Sequence, residues 1–426
     1  MLDLNAVREH PDIAKSAIRD KGHGDMKIVD DLLEADARRR EELSALQKLQ
    51  ARSNEVSREI GTHMRDGRKE EAQRLIAETA ELKKQVQELE ESSRATEALV
   101  ESLMLELPNV PHASVPRGTS ADENQVLSEQ GVKPTFDFKP RMHWDLAAAL
   151  EIVDFERGSK VAGAGFPFYV GAGARLQRAL VSFFLDLAVS EGGYREIQPP
   201  LVVNAASATG TGQLPDKEDM MYEIVRDELY LIPTSEIPVT NFLRDEIVAE
   251  ADLPIKFCAY SACFRREAGS YGKHVRGLNR LHQFDKVELV QFTHPDRSYD
   301  ALEAMTSDAE RAIERLGLPF RRLLMCTGDM GFSQAKKYDL EIWSAGQERW
   351  LEVSSISNLE AFQARRTRTR YRPAGEKKVD FVHTLNGSAL ALPRTVAAIL
   401  ENNQRSDGTI DVPPVLQPYF GGSLID

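Results

Sequence analysis

Cysteine is scarce in this chain. Cys258, Cys263 and Cys326, among 426 residues, form no CxxC pair and have no histidine at zinc-ligand spacing. That pattern speaks against a disulfide framework and a structural zinc, and for buried, inert thiols. Long apolar runs are also missing: no stretch approaches the roughly 18 residues of a membrane helix. Charge begins at the third residue of MLDLNAVREHPD, so no signal peptide is read there and a cytoplasmic protein is expected. Aromatic residues are few, at 7%, yet 42% hydrophobic and 28% charged residues describe a globular chain and not a disordered one. Its length exceeds a single core at about 100–200 residues per domain, so at least two domains are expected. Positive charge is in deficit as well. With 54 basic against 67 acidic side chains and a net charge of -13, the whole molecule repels phosphate backbones, and only local basic patches can reverse that at cellular salt.

Glycine, proline and aromatics are nearly absent from residues 27 to 107, which are dense in Glu, Arg, Lys, Gln, Ala and Leu. This is the composition of long helices. Alternating steps of four and three place Leu75, Thr79, Leu82, Val86, Leu89, Ser93, Thr96, Val100, Leu103 and Leu107 on one seam, a coiled-coil pattern with several polar seats. Leu43, Leu46, Val56, Ile60 and Met64 supply a looser seam in the first half. Gly61 to Gly67 interrupts the two, so an antiparallel hairpin is expected to reverse there. Arms of about 35 residues would project roughly 50 Å. Pro108, Pro111 and Pro116 end the second helix, a polar linker over 109–139 follows, and from 140 onward strand-length apolar runs alternate with helical patterns. Strands over 256–266 and 281–291 flank a Gly-rich basic loop and predict an antiparallel pair. The expected architecture is α+β: a helical hairpin over 1–108, the linker, and a domain over 140–426 built on an antiparallel sheet flanked by helices.

The common nucleotide signatures are missing too. No GxxxxGK[ST] occurs, and Gly171-Ala-Gly173 lacks the third glycine of a dinucleotide fingerprint. Between Phe264 and Arg280, by contrast, Arg265, Arg266, Lys273, Arg276 and Arg280 cluster with His274, Gly269, Gly272 and Gly277. Guanidinium forks on such a turn suit phosphate oxygens, although a solvated basic loop is an even alternative if it stands alone.

It does not stand alone. Gly193 to Val202 (GYREIQPPLV), Phe264-Arg265-Arg266-Glu267 and Leu385 to Arg394 (LNGSALALPR) resemble, in order, motifs 1, 2 and 3 of the class II aminoacyl-tRNA synthetases. Thr209 to Pro215, Pro233-Thr234-Ser235-Glu236, His282 to Glu288, Glu352 to Asn358, Phe362 to Arg366 and Ile399 to Asn402 are similar to the seryl-tRNA synthetases of the bacterial type. The resemblance covers essentially the whole chain, including the helical hairpin.

That resemblance implies an assignment of residues. Arg265, Glu288 and Arg394 would be catalytic, with Arg265 on the α-phosphate of ATP and the substrate carboxylate. Arg266, Glu267 and Leu281 would border the nucleotide, whose adenine would lie between Phe284 and Arg394. Glu352, Val353, Ser354 and Ser355 complete the ATP site, and Glu352 with Ser355 would hold Mg²⁺ through oxygen donors. Thr234, Ser235, Glu236, Glu288, Asn386 and Ser388 would surround serine. Arg365 or Arg366 would support the ATP and Mg²⁺ site, the choice between them left open. Each residue also has a structural counterpart: Glu288 pairing with Lys286, Ser388 capping near Pro393, Pro393 at the first position of a helix, and His282 as a satisfied structural histidine. Ala389, Ala391 and Pro393 depart from the motif 3 of the wider class.

The reaction implied is a serine:tRNA ligation. Serine's carboxylate attacks the α-phosphorus of ATP, releasing pyrophosphate, and a ribose hydroxyl at the tRNA 3′ end then attacks the acyl carbon. Selenocysteine tRNA would be a further acceptor. No nucleophile–base pair is evident, so positioning and charge stabilisation would carry catalysis. The hairpin resembles the arm that cradles the long variable stem of serine tRNA, with Arg52, Arg58, Arg65, Arg68, Lys69 and Arg74 as its basic surface. Motif 1 implies a homodimer, and neither zinc nor a membrane is expected. Two alternatives share the fold: a paralogue charging a carrier protein, which the full-length arm disfavours, and a non-catalytic binding protein, which Arg265, Glu288, Glu352 and Arg394 disfavour.

Overall fold

The computed structural model describes residues 1–267 and 276–426. Gly269, Gly272, Lys273 and His274 of the basic loop therefore lie outside the described residues. The chain divides into two compact units. One comprises Leu2–Arg19 and His23–Leu107, the other Asp20–Gly22 and Pro108–Asp426 together with Met1. No helix is long and apolar enough to cross a membrane among the described residues.

The smaller unit holds helices α1 (Leu4–Glu9), most of α2 (Pro11–Lys21), α3 (Lys27–Arg65) and α4 (Lys69–Leu105). Helices α3 and α4 form an antiparallel pair. Every seam residue from Leu75 to Leu107 is buried or half-buried, as the four-three spacing requires. On α3 the seam runs through Glu42, Leu46, Leu49, Ser53, Val56, Ile60 and His63. Leu43 and Met64, expected in it, are instead 37% and 57% exposed, because each lies one residue, about 100° of helix rotation, off that row. The reversal is also tighter than expected: Gly61 is inside α3, and Asp66, Gly67 and Arg68 make the turn, with Gly67 at φ 77°. A mid-helix glycine costs about 1 kcal/mol, less than the continuous seam returns. Near the base of the hairpin, fully buried Asp36 accepts from Arg8 at 2.9 Å, Arg39 at 2.8 Å and Arg40 at 3.1 Å. Burial pushes its carboxyl up, but the arginine hydrogen bonds outweigh this and hold it below the ordinary range.

The larger unit is built on an eight-stranded sheet with β1 (Gln125–Gln130), β2 (Arg195–Glu196), β3 (Ile255–Phe264), β4 (Gln283–Thr293), β5 (Phe320–Leu324), β6 (Lys336–Ser344), β7 (Arg349–Glu360) and β8 (His383–Ala391). Their order is β1-β5-β6-β7-β8-β4-β3-β2. All neighbours are antiparallel except β2 on β3. Thus β3 and β4 form the expected antiparallel pair, Phe264 opposite Gln283 and Ile255 opposite Phe292. The segment expected as a linker contributes the edge strand β1.

One face of the sheet is covered by α5 (Ala172–Ser190), α7 (Ser298–Leu316) and α8 (Leu392–Asn402). Leu176, Phe184, Leu302 and Ile313 pack there against Val287, Leu289, Leu340 and Ile356, at about 1.5–3 kcal/mol for each fully buried side chain. Alternation along β4 sends Phe284, Lys286 and Glu288 to the opposite face, where they line a cavity. Farther along, Val290 and Phe292 join a second apolar cluster with Val239, Phe257 and Tyr371. Helix α8 begins with Leu392, so Pro393 is its second residue and not its first. Near its end Glu401 accepts from the His143 amide at 2.9 Å and Nδ1 at 2.7 Å, and from Gly346 N at 3.0 Å. Buried on both sides, this network anchors the helix that carries Arg394.

Candidate active site

A cavity of about 620 Å³ opens on the polar face of the sheet. It is lined by residues far apart in sequence: Thr234 and Glu236 at the start of α6 (Glu236–Asn241), Arg265 after β3, Glu288 on β4, Glu352 and Ser355 on β7, Asn386 and Ser388 on β8, and Arg394 on α8. Glu267, Leu281, Phe284, Val353 and Ser354 complete most of the expected nucleotide set.

Two β-bulges aim these side chains. On β7, Ser354 opposes Leu340 and Glu352 opposes Glu341, so Val353 is the extra residue. The bulge resets the alternation, and Glu352 and Ser355, three apart, both reach the cavity. On β8, Ala389 is skipped between the pairs Leu390–Val287 and Ser388–Glu288. Gly387 lies hard against β7: a Cβ there would stand 2.8 Å from Ile356 Cγ1.

At one end of the cavity the cations gather. Arg265 lies over the Phe284 ring at 5.1 Å and donates from Nε to Pro233 O at 3.3 Å. Arg394 donates to Asn279 O at 3.0 Å and to Glu352 O at 2.7 Å, and its guanidinium is 3.8 Å from the Glu352 carboxylate. Burial raises that carboxylate, but Arg394, Lys337 and Arg265 together hold it below its ordinary value. Glu267, at φ 48°, pairs with Arg280. Register opposes Ser355 to Asp339, a buried carboxyl pushed up to about 7 chiefly by burial.

The other end is a polar pocket. Glu236 Oε1 accepts from Gln363 Nε2 at 2.7 Å and Asn386 Nδ2 at 2.8 Å. Burial first, and the Glu288 charge second, push Glu236 up to about 7. Ser388 Oγ donates to Glu288 Oε2 at 3.4 Å, and Lys286 pairs with Glu288 while donating to Thr234 Oγ1 at 2.8 Å.

Not every expected residue arrives. Arg266 and Ser235 are not among the lining residues. Ser235 is fully buried, with its Oγ accepting from Ser261 at 3.1 Å, because it points into the turn before α6 and packs on β3. Arg366 donates to Thr209 O at 3.0 Å and lies over the Phe362 ring at 4.8 Å, while Arg365 lies over Phe381 at 4.9 Å. Neither is among the residues that line the cavity. His282 bonds Tyr222 at 2.8 Å and stacks on Phe166 at 5.5 Å, the satisfied structural histidine expected. All three cysteines are buried and free. Among the arm residues, Arg58, Arg65, Arg68, Lys69 and Arg74 are exposed near the reversal. Arg52 is also exposed but is tied to Glu55 and Glu78, both at 2.9 Å. Residue-level reading missed Gln213, Lys217, Lys286 and Lys337 as cavity residues. The alternation Phe284, Lys286, Glu288 was the available signal for Lys286.

An antiparallel sheet that presents an arginine after β3, an arginine on the following α8 and a carboxylate–hydroxyl pair on β7 defines a class II aminoacyl-tRNA synthetase core. Residues 222–403 match the tRNA synthetase class II core domain (G, H, P, S and T), and residues 1–111 match the seryl-tRNA synthetase N-terminal domain. The chain belongs to the seryl-tRNA synthetase family. It is 60% identical to the serine–tRNA ligase of Salinibacter ruber, covering 100% of this chain and 99% of that one. It is 48% identical to that of Bacillus pumilus over the full length of both. Among solved structures, the seryl-tRNA synthetase of Pyrococcus horikoshii complexed with ATP superposes with a TM-score of 0.94 at 35% identity, covering 100% of this chain and 99% of that one. The cytoplasmic serine–tRNA ligase of Naegleria fowleri in complex with AMP gives 0.88 at 28%, with the same coverage.

Proposed function

We propose that this chain is a serine–tRNA ligase: it activates serine with ATP and transfers the seryl group to serine tRNA, selenocysteine tRNA included. One observation carries the reading. Arg265, Glu288, Glu352, Ser355 and Arg394, separated by up to 129 positions in the chain (394 − 265), converge on a single cavity.

Serine lies at the Thr234, Glu236, Glu288, Asn386 and Ser388 end, its ammonium on a carboxylate and its carboxylate toward Arg265. ATP lies at the Phe284 and Arg394 end, with Glu267 and Leu281 at its border. The serine carboxylate attacks the α-phosphorus and the bond to pyrophosphate breaks; a tRNA ribose hydroxyl then attacks the acyl carbon and AMP leaves. Arg265 neutralises charge that grows on the α-phosphoryl oxygens, a term worth about 3–4 kcal/mol for one well-placed donor. Glu352 and Ser355 offer an ionised carboxylate and a hydroxyl to one cavity, a donor set that fits Mg²⁺. A cation there would neutralise ATP phosphates. No zinc enters this reading.

Three larger assignments accompany it: the hairpin over 1–108 as the tRNA arm, residues 109–426 as the catalytic domain, since the expected linker supplies edge strand β1 of its sheet, and a homodimer through the motif 1 segment from Gly193 to Val202. Amino-acid-dependent pyrophosphate exchange across the small amino acids, followed by charging of total tRNA, tests the function. Exchange with serine and charging of serine tRNA are expected, and exchange driven by another amino acid overturns it.

A further inference from the structure

Lys286 lines the serine end of the cavity, and the assignments above give it no task. It is 5% exposed, shares the cavity face of β4 with Glu288 and Phe284, and makes two contacts there. Its ammonium pairs with Glu288 Oε2 and donates to Thr234 Oγ1 at 2.8 Å. The Glu236 backbone N–H donates to the same Thr234 oxygen at 3.2 Å.

A threonine hydroxyl has two lone pairs and one hydrogen. Both lone pairs of Thr234 are therefore taken, one by Lys286 and one by the first turn of α6. What remains to a ligand is the hydrogen, and Thr234 faces the cavity as a donor only. Glu288 is fixed in the opposite sense. Its Oε2 is engaged by Lys286 and by Ser388 Oγ at 3.4 Å, and as a carboxylate balanced by a lysine it offers only acceptors. Asn386 and Gln363 likewise orient Glu236 through Oε1, at 2.8 Å and 2.7 Å.

We propose that Lys286 is a positioning residue that sets the hydrogen-bond polarity of the amino-acid pocket. It makes Thr234 an obligate donor and Glu288 an obligate acceptor, so the pocket takes an amino acid whose side chain both accepts and donates one hydrogen bond. A serine hydroxyl does so: its oxygen accepts from Thr234 and its hydrogen goes to a carboxylate, while the substrate ammonium uses the remaining carboxylate oxygens. Alanine offers neither and leaves a buried donor and acceptor unpaired, the situation that allows strong rejection without editing. The proposal rests on the placement of serine given above. Without Lys286 the Thr234 hydroxyl regains one lone pair, so its hydrogen and that lone pair can exchange places while the Glu236 amide stays bonded, and Glu288 loses its counter-charge.

Pyrophosphate exchange by the full-length protein with K286M, K286R and T234A tests this. For K286M the KM for serine should rise about 10-fold with the KM for ATP within about 2-fold, and the serine-over-alanine ratio of kcat/KM should fall about 10-fold. K286R, which keeps the charge and the donors, should recover most of both. A K286M enzyme with unchanged serine KM and unchanged discrimination, beside a defective T234A, overturns the role of Lys286 alone. Equal losses toward serine and ATP with a lowered Tm and no recovery in K286R make Lys286 a packing residue and overturn it too. If K286M and T234A both leave serine KM unchanged, the serine placement itself fails and takes the proposal with it.

Discussion

Arg265 and Glu236 illustrate two ways in which a single side chain expresses the site. Arg265 reaches Phe284 and Pro233 O but buries no core surface, so Arg265→Ala should remove adenylate formation, about 100-fold or more in exchange, while the Tm stays within about 2 °C of wild type. An equal fall in Tm and activity would make it a structural charge. Glu236 is different, because its pocket raises it to about 7 through burial and the facing Glu288. Its unfolded counterpart ionises near 4.5, so between those values the folded state holds the proton and the unfolded state does not. Folding stability is therefore lost as pH rises through that window. Glu236→Gln, which keeps the oxygen that Asn386 and Gln363 bond, should show no Tm gain at pH 4.5 and a gain of about 2 °C by pH 7.5 in the ligand-free protein. A gain independent of pH would remove the explanation. Both arginines of the site were legible from their motifs. The polarity of Thr234 was not, since it depends on a lysine from one strand and an amide from a helix meeting at one oxygen.

Bulges and seams decide what each element displays. Spacing alone puts Glu352 and Ser355 on opposite faces of a strand, because side chains alternate with period two; the extra residue at Val353 brings both to the cavity. No sequence pattern announces that bulge, which arises from how β7 registers against β6. In α3 and α4 the opposite holds, and the four-three pattern located nearly every buried seam position of α4. Val56→Asp, at a fully buried seam position, should destabilise the hairpin by about 3 kcal/mol as read by the helical melting of the 27–105 segment within the full chain. It should leave serine-dependent pyrophosphate exchange unchanged and lower tRNA charging. Undiminished charging would show that the arm works without its seam. In α8, Glu401→Ala removes the acceptor of the His143 and Gly346 backbone amides in the interior at a cost of about 3 kcal/mol, and calorimetry should register it as a lower Tm together with slower exchange, since Arg394 rides on the same helix.

For the molecule as a whole, the proposed division of labour can be separated by deletion. Removing 30–103 and joining the flanks by a short Gly/Ser linker should keep exchange and abolish most charging, because α3 and α4 bury their seams against each other. Arg65→Ala with Arg68→Ala should give a milder, salt-dependent loss of charging. Full charging by the truncated protein would dismiss the tRNA-arm assignment. Sedimentation at micromolar protein should show twice the 47.7 kDa monomer, and a monomer alone would dismiss the motif 1 interface.

Helix periodicity, the proline stop after α4 and the motif tetrapeptides are local facts, and for that reason composition and spacing were enough to read two long helices and an antiparallel β3–β4 pair, while the motif resemblance pointed to Arg265 and Arg394 as cavity residues. Contacts between strands distant in sequence are set by register, and register depends on bulges at Val353 and Ala389 that leave no local trace. Hence the cavity's inner order came from packing alone: Ser235 turned inward, Arg266 kept outside, and Lys286 seated between Thr234 and Glu288.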